Sequence, residues 1–300
     1  MAGMLTGRVA VVTGSGRGIG ASVARLFAAE GAKVVVNDNG VEVDGTGGDK
    51  TVAMQVAEQI TAAGGEATAN GDDVGDFQAA EAIIQQAIEG YGQLDVLVNV
   101  AGILRDRMVF NMTEEEWDAV LRVHLKGTFN TTHHDTGYWR KQRNPEGHFR
   151  LINFTSGSGL HGAPGQPNYA AAKLGIVGLT YSCANALRPY GITANAIAPG
   201  ASTRMTDSVP TDRRRMGSGD DPVRSPDNIA PVVAYLASDR SDWCTGQTIS
   251  ARGYEVGLYN IPQVIRQIAA PGPWDLEMMS RMIEQSFRPV VAGSGGPFGR

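Results

Sequence analysis

The chain has little cysteine: Cys183 and Cys244 are the only two among 300 residues, and no Cys-x-x-Cys pattern joins them. That scarcity excludes a disulfide scaffold and a cysteine metal centre, and it fits a reduced, intracellular protein. Long apolar runs are missing too, none approaching the ~18 residues that mark a membrane span. Residues 1–8 lack the apolar core of a signal peptide, so a cytoplasmic protein with no membrane partner is expected. The chain ends Pro297-Phe298-Gly299-Arg300, which is not a Ser-Lys-Leu type of peroxisomal address. Positive charge is not in excess. With 26 Lys and Arg against 31 Asp and Glu the net charge is -5, which excludes a global basic field and makes nucleic acid a poor partner. Histidine is sparse, and no metal site is expected: His133 and His134 are neighbours facing different directions on a helix, and His148 and His161 lack ligand partners at suitable spacing.

What the chain does have is 42% hydrophobic residues over 300 positions, enough for a full core. One catalytic domain over 1–300 is expected, with its core at 7–253 and a helical C-terminal extension at 254–300. Near the start, an apolar stretch at 9–12 runs into Thr13-Gly14-Ser15-Gly16-Arg17-Gly18-Ile19-Gly20, followed by a helix-like segment at 21–30 and Gly31. Strand, glycine turn and helix together predict a dinucleotide site. Gly14 permits the tight turn, Gly18 lets backbone approach a pyrophosphate, and Gly20 allows close packing of helix on strand. A second apolar run at 33–36 ends at Asn37-Asp38, where a carboxylate would meet the adenosine ribose. Asp38 argues for NAD, with NADP disfavoured: an added phosphate beside it would be repelled by roughly 4 kcal/mol per charge pair at about 4 Å and an effective dielectric near ~20. Arg17 pulls the other way, since a basic residue in the turn could welcome that phosphate.

Ser156, Tyr169 and Lys173 are spaced as a hydride-transfer site would be. On a helix, residues four apart share a face, so Tyr169 and Lys173 would project into one cleft. A phenol titrates near ~10, and a neighbouring ammonium is expected to draw that value down so that Tyr169 can act as acid or base. Ser156 could hydrogen-bond the substrate oxygen as charge develops on it.

The alternation of strands and helices predicts an α/β, three-layer, doubly wound (Rossmann) fold with a seven-stranded parallel sheet and right-handed crossovers. Helices are expected at 51–63, 77–91, 167–187 and 225–236, and from a capped start at Thr113 through 117–125 to about 143. Strands are expected at 66–71, 94–98, 149–155, 192–198 and 247–251. Between the second strand and its helix lies a Gly- and Asp-rich loop at 41–50, longer than a lean fold of this kind needs. Residues 262–269 and 274–287 read as helical, the latter carrying Leu276, Met279, Met282, Ile283 and Phe287 near one face. Ligands in such sheets bind at the carboxyl ends of strands, where Gly14, Asp38, Asn99, Ser156 and Pro199 all fall.

The glycine turn, the Asn99-Val100-Ala101-Gly102 string, Ser156, Tyr169, Lys173 and Ala198-Pro199-Gly200 together resemble the short-chain dehydrogenases/reductases over residues 7–253. More narrowly, Val35-Val36-Asn37-Asp38, the run from Gly102 to Met108, Val123-His124-Leu125-Lys126-Gly127 and Gly165-Gln166-Pro167-Asn168-Tyr169 are similar to the dehydrogenase part of the peroxisomal multifunctional enzymes of fatty-acid β-oxidation. The resemblance implies an NAD-linked (3R)-hydroxyacyl-CoA dehydrogenase, a homodimer or homotetramer, with acyl-CoA or steroid-like substrates. It also implies that Asp73 and Val74 contact adenine, that Asn99, Ala101 and Gly102 line the nucleotide cleft, and that Pro199, Gly200 and Thr203 hold the nicotinamide. The fourth catalytic position, usually Asn, is His124 here. It could relay protons and, titrating near neutrality, add pH dependence, or it could be a hydrogen-bonded structural histidine.

Other readings stay open. Arg204, Arg213, Arg214 and Arg215 are candidates for gripping coenzyme A phosphates, or form a solvated face. Leu104, Met108, Phe110, Leu160 and Met205 are candidates for an apolar wall around the substrate. The competing functions are an NADPH-dependent 3-oxoacyl carrier-protein reductase and a nucleotide-binding scaffold without chemistry.

Overall fold

The computed structural model describes residues 3–49, 51–201 and 221–293. Thr203, Arg204, Met205 and the arginines at 213–215 lie outside them. The described chain divides into two units, one reaching Tyr259 and one beginning at Asn260.

The first unit is built on strands rich in buried valine and isoleucine, the pattern of a sheet covered on both faces. β1 (Val9–Thr13), β2 (Lys33–Asn37), β3 (Glu66–Asn70), β4 (Val96–Asn99), β5 (Phe149–Phe154), β6 (Ile192–Gly200) and β7 (Thr248–Arg252) pair in parallel, in the order β3-β2-β1-β4-β5-β6-β7. The doubly wound fold expected from the sequence is therefore present, with one addition. An eighth strand, β8 (Glu255–Leu258), runs antiparallel to β7, after a turn at Gly253 with φ of 55°. The sheet thus continues past Gly253, and seven strands was one too few. β8 is a four-residue edge strand with every residue exposed, and its alternation of Val256 and Leu258 is too short to mark it in sequence.

Alternate residues of each strand supply opposite faces. Ala10 and Val12 join a core with α1 (Gly18–Ala29), α2 (Thr51–Ala62) and α8 (Ala230–Ala237), through Phe27, Ala53 and Val233. Val9 and Val11 face the other core, where Ile83 and Ile84 of α3 (Phe77–Tyr91) and Trp139 of α5 (Gly127–Gln142) pack. Each such buried aliphatic side chain contributes about 1.5–3 kcal/mol by removal from water.

Helix ends follow local chemistry. Asp76 accepts from the Ala79 amide at 2.8 Å to open α3, and Gly92, at φ of 83°, closes it. Thr113 and Glu116 form the reciprocal capping box of α4 (Glu114–Leu121). Pro167 sits in the first turn of α7 (Pro167–Leu187), after the short α6 (Gly157–His161). Between α4 and α5 the chain widens into a π-helical turn, Arg122–Lys126, and α8 begins after a 3-10 turn at Pro226–Asn228 rather than at Ser225.

The second unit holds a helix at Leu276–Ser286, capped by Asp275, and a helical turn at Arg288–Gly293. The helix expected at 262–269 does not form. Pro262 and Pro271 bound that stretch, and Val264 and Ile265 are exposed, so no packing stabilises a segment too short to be helical alone. Among the described residues no helix is long and apolar enough to cross a membrane.

Candidate active site

The sheet reverses its winding between β1 and β4, and a cleft of about 240 Å³ opens there at the carboxyl ends of the strands. Gly14, Arg17, Gly18, Ile19, Gly20, Asp38, Asp73, Val74, Ala101, Gly102, His124, Tyr169, Lys173 and Pro199, fourteen residues expected from the sequence, all line it. Asn99, Ser156 and Gly200 are not among the lining residues. Asn99 is buried, donating to Asn153 at 3.0 Å and accepting from Thr131 at 2.7 Å, which ties β4 to β5 and α5. Gly200 ends β6, where a Cβ would come within 2.7 Å of the Arg252 side chain.

The glycine turn owes its residues to close approach. A Cβ on Gly14 would stand 2.7 Å from Ala101 backbone, and one on Gly20 2.2 Å from the Gly14 carbonyl. Asp38 sits at the end of β2 with each carboxylate oxygen bound once by backbone, to the Gly16 amide at 2.9 Å and the Gly40 amide at 2.8 Å. Asp73 accepts from the Gly75 amide and pairs with Arg122, both at 2.8 Å.

The residues fit a dinucleotide. α1 starts with no side-chain cap and no acidic residue in its first turn, so its amide donors and positive dipole end are left for an anion. Arg17 Nη1 is buried there without a hydrogen-bond partner, a donor left for an anion.

On the opposite wall, α7 presents Tyr169 and Lys173. Lys173 is buried at 4% exposure, donates to the Phe154 carbonyl at 2.7 Å, and lies 5.6 Å from the centre of the Tyr169 ring. Burial lowers its ammonium from the usual lysine range to about 7. Tyr169 moves oppositely: burial pushes its phenol up to about 12, a hydrogen bond with Ser156 opposes that, and the charge of Asp106 adds to it. The phenol thus moves opposite to the lysine-depressed direction expected from the sequence, because burial is the largest influence on it. Ser156 also caps α6, accepting from the Ser158 amide at 3.1 Å.

His124 lies in the π-helical turn, which widens the helix and carries the imidazole to the cleft. It is buried, with Nε2 within 3.1 Å of the Ile103 amide and 2.8 Å of the Ile103 carbonyl, and its ring meets Tyr169 edge-on at 5.0 Å. Nδ1 has no partner. Burial first, then the Lys173 charge, holds its pKa well below the usual imidazole value. Burial thus moves His124 away from the near-neutral titration expected from the sequence and favours its uncharged ring. Gly102 is required beside it, since a Cβ there would fall 2.0 Å from the imidazole.

Several contributors escaped the sequence reading. Asn168 donates to the Arg105 and Glu116 carbonyls at 3.0 Å and accepts from the Tyr169 amide at 2.7 Å, fixing the start of α7. Thr155 donates to the Lys173 carbonyl at 2.7 Å. Asn168 directly precedes Tyr169, and a buried amide ahead of a helical tyrosine was the available signal. Of the proposed apolar wall, Leu104 is buried and Met108 and Phe110 are exposed.

A glycine turn suited to a dinucleotide, an acidic residue closing the second strand, and a serine, tyrosine and lysine gathered beside one cleft define a nucleotide-dependent oxidoreductase. The chain belongs to the short chain dehydrogenase family, whose description matches residues 8–214. It is similar to hydroxyacyl-CoA dehydrogenase ChsB1 of Mycobacterium tuberculosis, at 40% identity over 94% of this chain and 89% of that one. It is 40% identical to peroxisomal multifunctional enzyme type 2 of Drosophila melanogaster over 85% of this chain, which spans 40% of the length of that protein. The 3-oxoacyl-[acyl-carrier-protein] reductase FabG of Thermotoga maritima is comparably close, at 38% identity over 83% of this chain and 98% of that one. A crystal structure of a short chain dehydrogenase from Mycobacterium avium superposes with a TM-score of 0.84 at 44% identity, covering 95% of this chain and 96% of that one. The protein is thus an NAD(P)-dependent enzyme acting on the CH–OH group of a small molecule.

Proposed function

We propose that the enzyme is an NAD-linked dehydrogenase of (3R)-3-hydroxyacyl-CoA, with hydroxysteroids as further substrates. The observation that carries the cofactor choice is Asp38. Its carboxylate is anchored by the Gly16 and Gly40 amides at the end of β2, where its charge would meet an added phosphate on the adenosine ribose. Asp38→Ala should therefore improve kcat/KM with NADP relative to NAD by about tenfold or more, as removal of a like charge at ~4 Å allows. An unchanged ratio in a two-cofactor assay would remove this argument, and Arg17 would then count for NADP.

The substrate assignment is supported by the similarity to ChsB1, which extends over 94% of the chain, whereas that to the carrier-protein reductase covers 83%. When bound, the nicotinamide supplies the hydride acceptor. Gly14, Gly18 and the α1 N-terminus would hold its pyrophosphate, Asp38 the adenosine ribose, Asp73 and Val74 the adenine, and Pro199, Gly200 and Thr203 the nicotinamide side. Ser156 orients the carbinol oxygen, Tyr169 takes its proton, and Lys173 charges to stabilise the phenolate. A protonated phenol next to the Ser156 hydroxyl is equally placed to donate to a ketone oxygen in reverse.

Changing Arg213, Arg214 and Arg215 together to Ala tests the substrate class. The KM for a hydroxyacyl-CoA should rise while that for a pantetheine-length thioester is spared, because only the former carries the nucleotide phosphates. Equal effects on both substrates would detach these residues from coenzyme A.

A further inference from the structure

The loop between β2 and α2 is the sequence feature that the proposed reaction leaves without a task. Its residues Val41, Glu42, Val43 and Gly45 form part of the cleft wall. The loop is internally ordered: the Asp44 carboxylate accepts from the Thr46 amide at 2.9 Å and hydroxyl at 2.7 Å, and the Glu42 amide donates to the Thr46 carbonyl at 2.9 Å. Two successive carbonyls of this turn are then gripped from another segment lining the cleft. The Leu104 amide donates to the Val43 carbonyl at 2.7 Å, and Arg105 Nε donates to the Asp44 carbonyl at 2.8 Å. Gly45, in the left-handed region at φ of 86°, lies so close that a Cβ would meet Ile103 Cδ1 at 2.9 Å.

The grip extends to the catalytic helix. Arg105 Nη1 pairs with Glu115 at 2.9 Å, its carbonyl accepts from Asn168 at 3.0 Å, and Asn168 in turn receives the Tyr169 amide at 2.7 Å. The next residues repeat the seam, with the Arg107 amide on the Gly165 carbonyl at 2.7 Å and Gln166 on Asp106 at 2.8 Å. The Arg105 side chain is 19% exposed, whereas that of Glu115 is 84% exposed. Both of its bonds lie at the exposed rim of the cleft, and the one to the Asp44 carbonyl, made to backbone, is less weakened by salt than the ion pair.

The geometry points to Arg105 as a positioning residue that straps the β2–α2 loop over the nucleotide cleft and sets how long the reduced dinucleotide stays bound. This rests on the dinucleotide reading above and adds to it a control of release. A ligand beneath the loop leaves only when the Val43 and Asp44 carbonyls are let go, so each bond in the strap lengthens residence without touching the reacting atoms. Arginine suits the task because one planar group serves the Asp44 carbonyl and Glu115 together; a lysine ammonium does so poorly.

Release of NADH, followed by stopped-flow fluorescence in the absence of substrate, tests the strap. Arg105→Ala should speed release by about tenfold, Arg105→Lys should recover part of the loss, and Gly45→Ala, which props the loop away from Ile103, should also speed it. Glu115→Gln should stay within about twofold of the wild type. Release from both Arg105→Ala and Gly45→Ala within about twofold of the wild type overturns the proposal. If Arg105→Ala does not fold, Gly45→Ala and Arg105→Lys decide by the same criterion. The two readings fail separately: tight NADH binding with unchanged release removes the strap alone, and a wild-type protein that binds neither NADH nor NADPH removes the dinucleotide reading with it.

Discussion

Tyr169→Phe should lower kcat by about 10²–10⁴-fold while leaving NADH affinity near that of the wild type. The substitution deletes the hydroxyl that bonds Ser156 and keeps the ring that packs on His124, so the cleft keeps its shape and loses its proton carrier. The pH profile sharpens the test. With the phenol held up toward about 12, the acid form dominates at neutrality, and oxidation, which needs the phenolate, should accelerate as pH rises above 7. Steady-state kinetics in both directions, with a fluorescence titration of NADH, measure the effect. Retained turnover in Tyr169→Phe would refute the assigned acid–base group.

Lys173→Met should also cost about 10²-fold or more in kcat/KM, since among the described residues no other ammonium lies beside the phenol, and it carries a second signature in stability. Burial lowers Lys173 from the 10.5 of a free lysine to about 7 in the fold, so between these values the unfolded chain binds the extra proton. Raising the pH through that window therefore favours the fold, and below pH 7 the penalty of burying the ammonium is fully present. Removing the lysine removes the penalty. The stability of the wild type relative to Lys173→Met should rise by about 4 kcal/mol between pH 7 and 10.5, read from urea unfolding across that range. A pH-independent difference would mean that the lysine is charged and paired in the folded protein. Lost activity with a flat stability difference would keep its catalytic role and discard its depressed pKa.

Much of the fold was legible because its element ends carry local chemistry. α3 and α7 occupy the residues expected from sequence, with Asp76 and Gly92 bounding one and Pro167 opening the other. Where ends lack such marks the boundaries drift: α1 starts at Gly18, uncapped, ahead of the first periodic residue. β8 was missed because it is only four residues long, and two alternating apolar residues do not stand out from a loop. The π-helical turn at Arg122–Lys126 was invisible for a different reason: a one-residue widening leaves the apolar spacing nearly intact yet redirects His124.

The site divides in the same way. Residue identity and spacing pointed to Tyr169, Lys173, Asp38 and the glycines, because chemistry restricts which residue can stand there. Burial is set by the tertiary fold, so the direction of the Tyr169 and Lys173 shifts was not readable from their spacing alone. The same holds for Asn99, expected at the cleft from the resemblance, whose side-chain bonds to Asn153 and Thr131 belong to the tertiary fold.

The most direct test of the whole account is the absorbance change on NAD reduction by the wild-type protein, screened across (3R)-3-hydroxyacyl-CoA chain lengths and hydroxysteroids, with Tyr169→Phe as the control. Reduction of NAD by a hydroxyacyl-CoA that NADP does not match, and that disappears in the control, is the predicted result. No reduction by any of these alcohols, or activity confined to NADPH and a 3-oxoacyl carrier-protein, would contradict it.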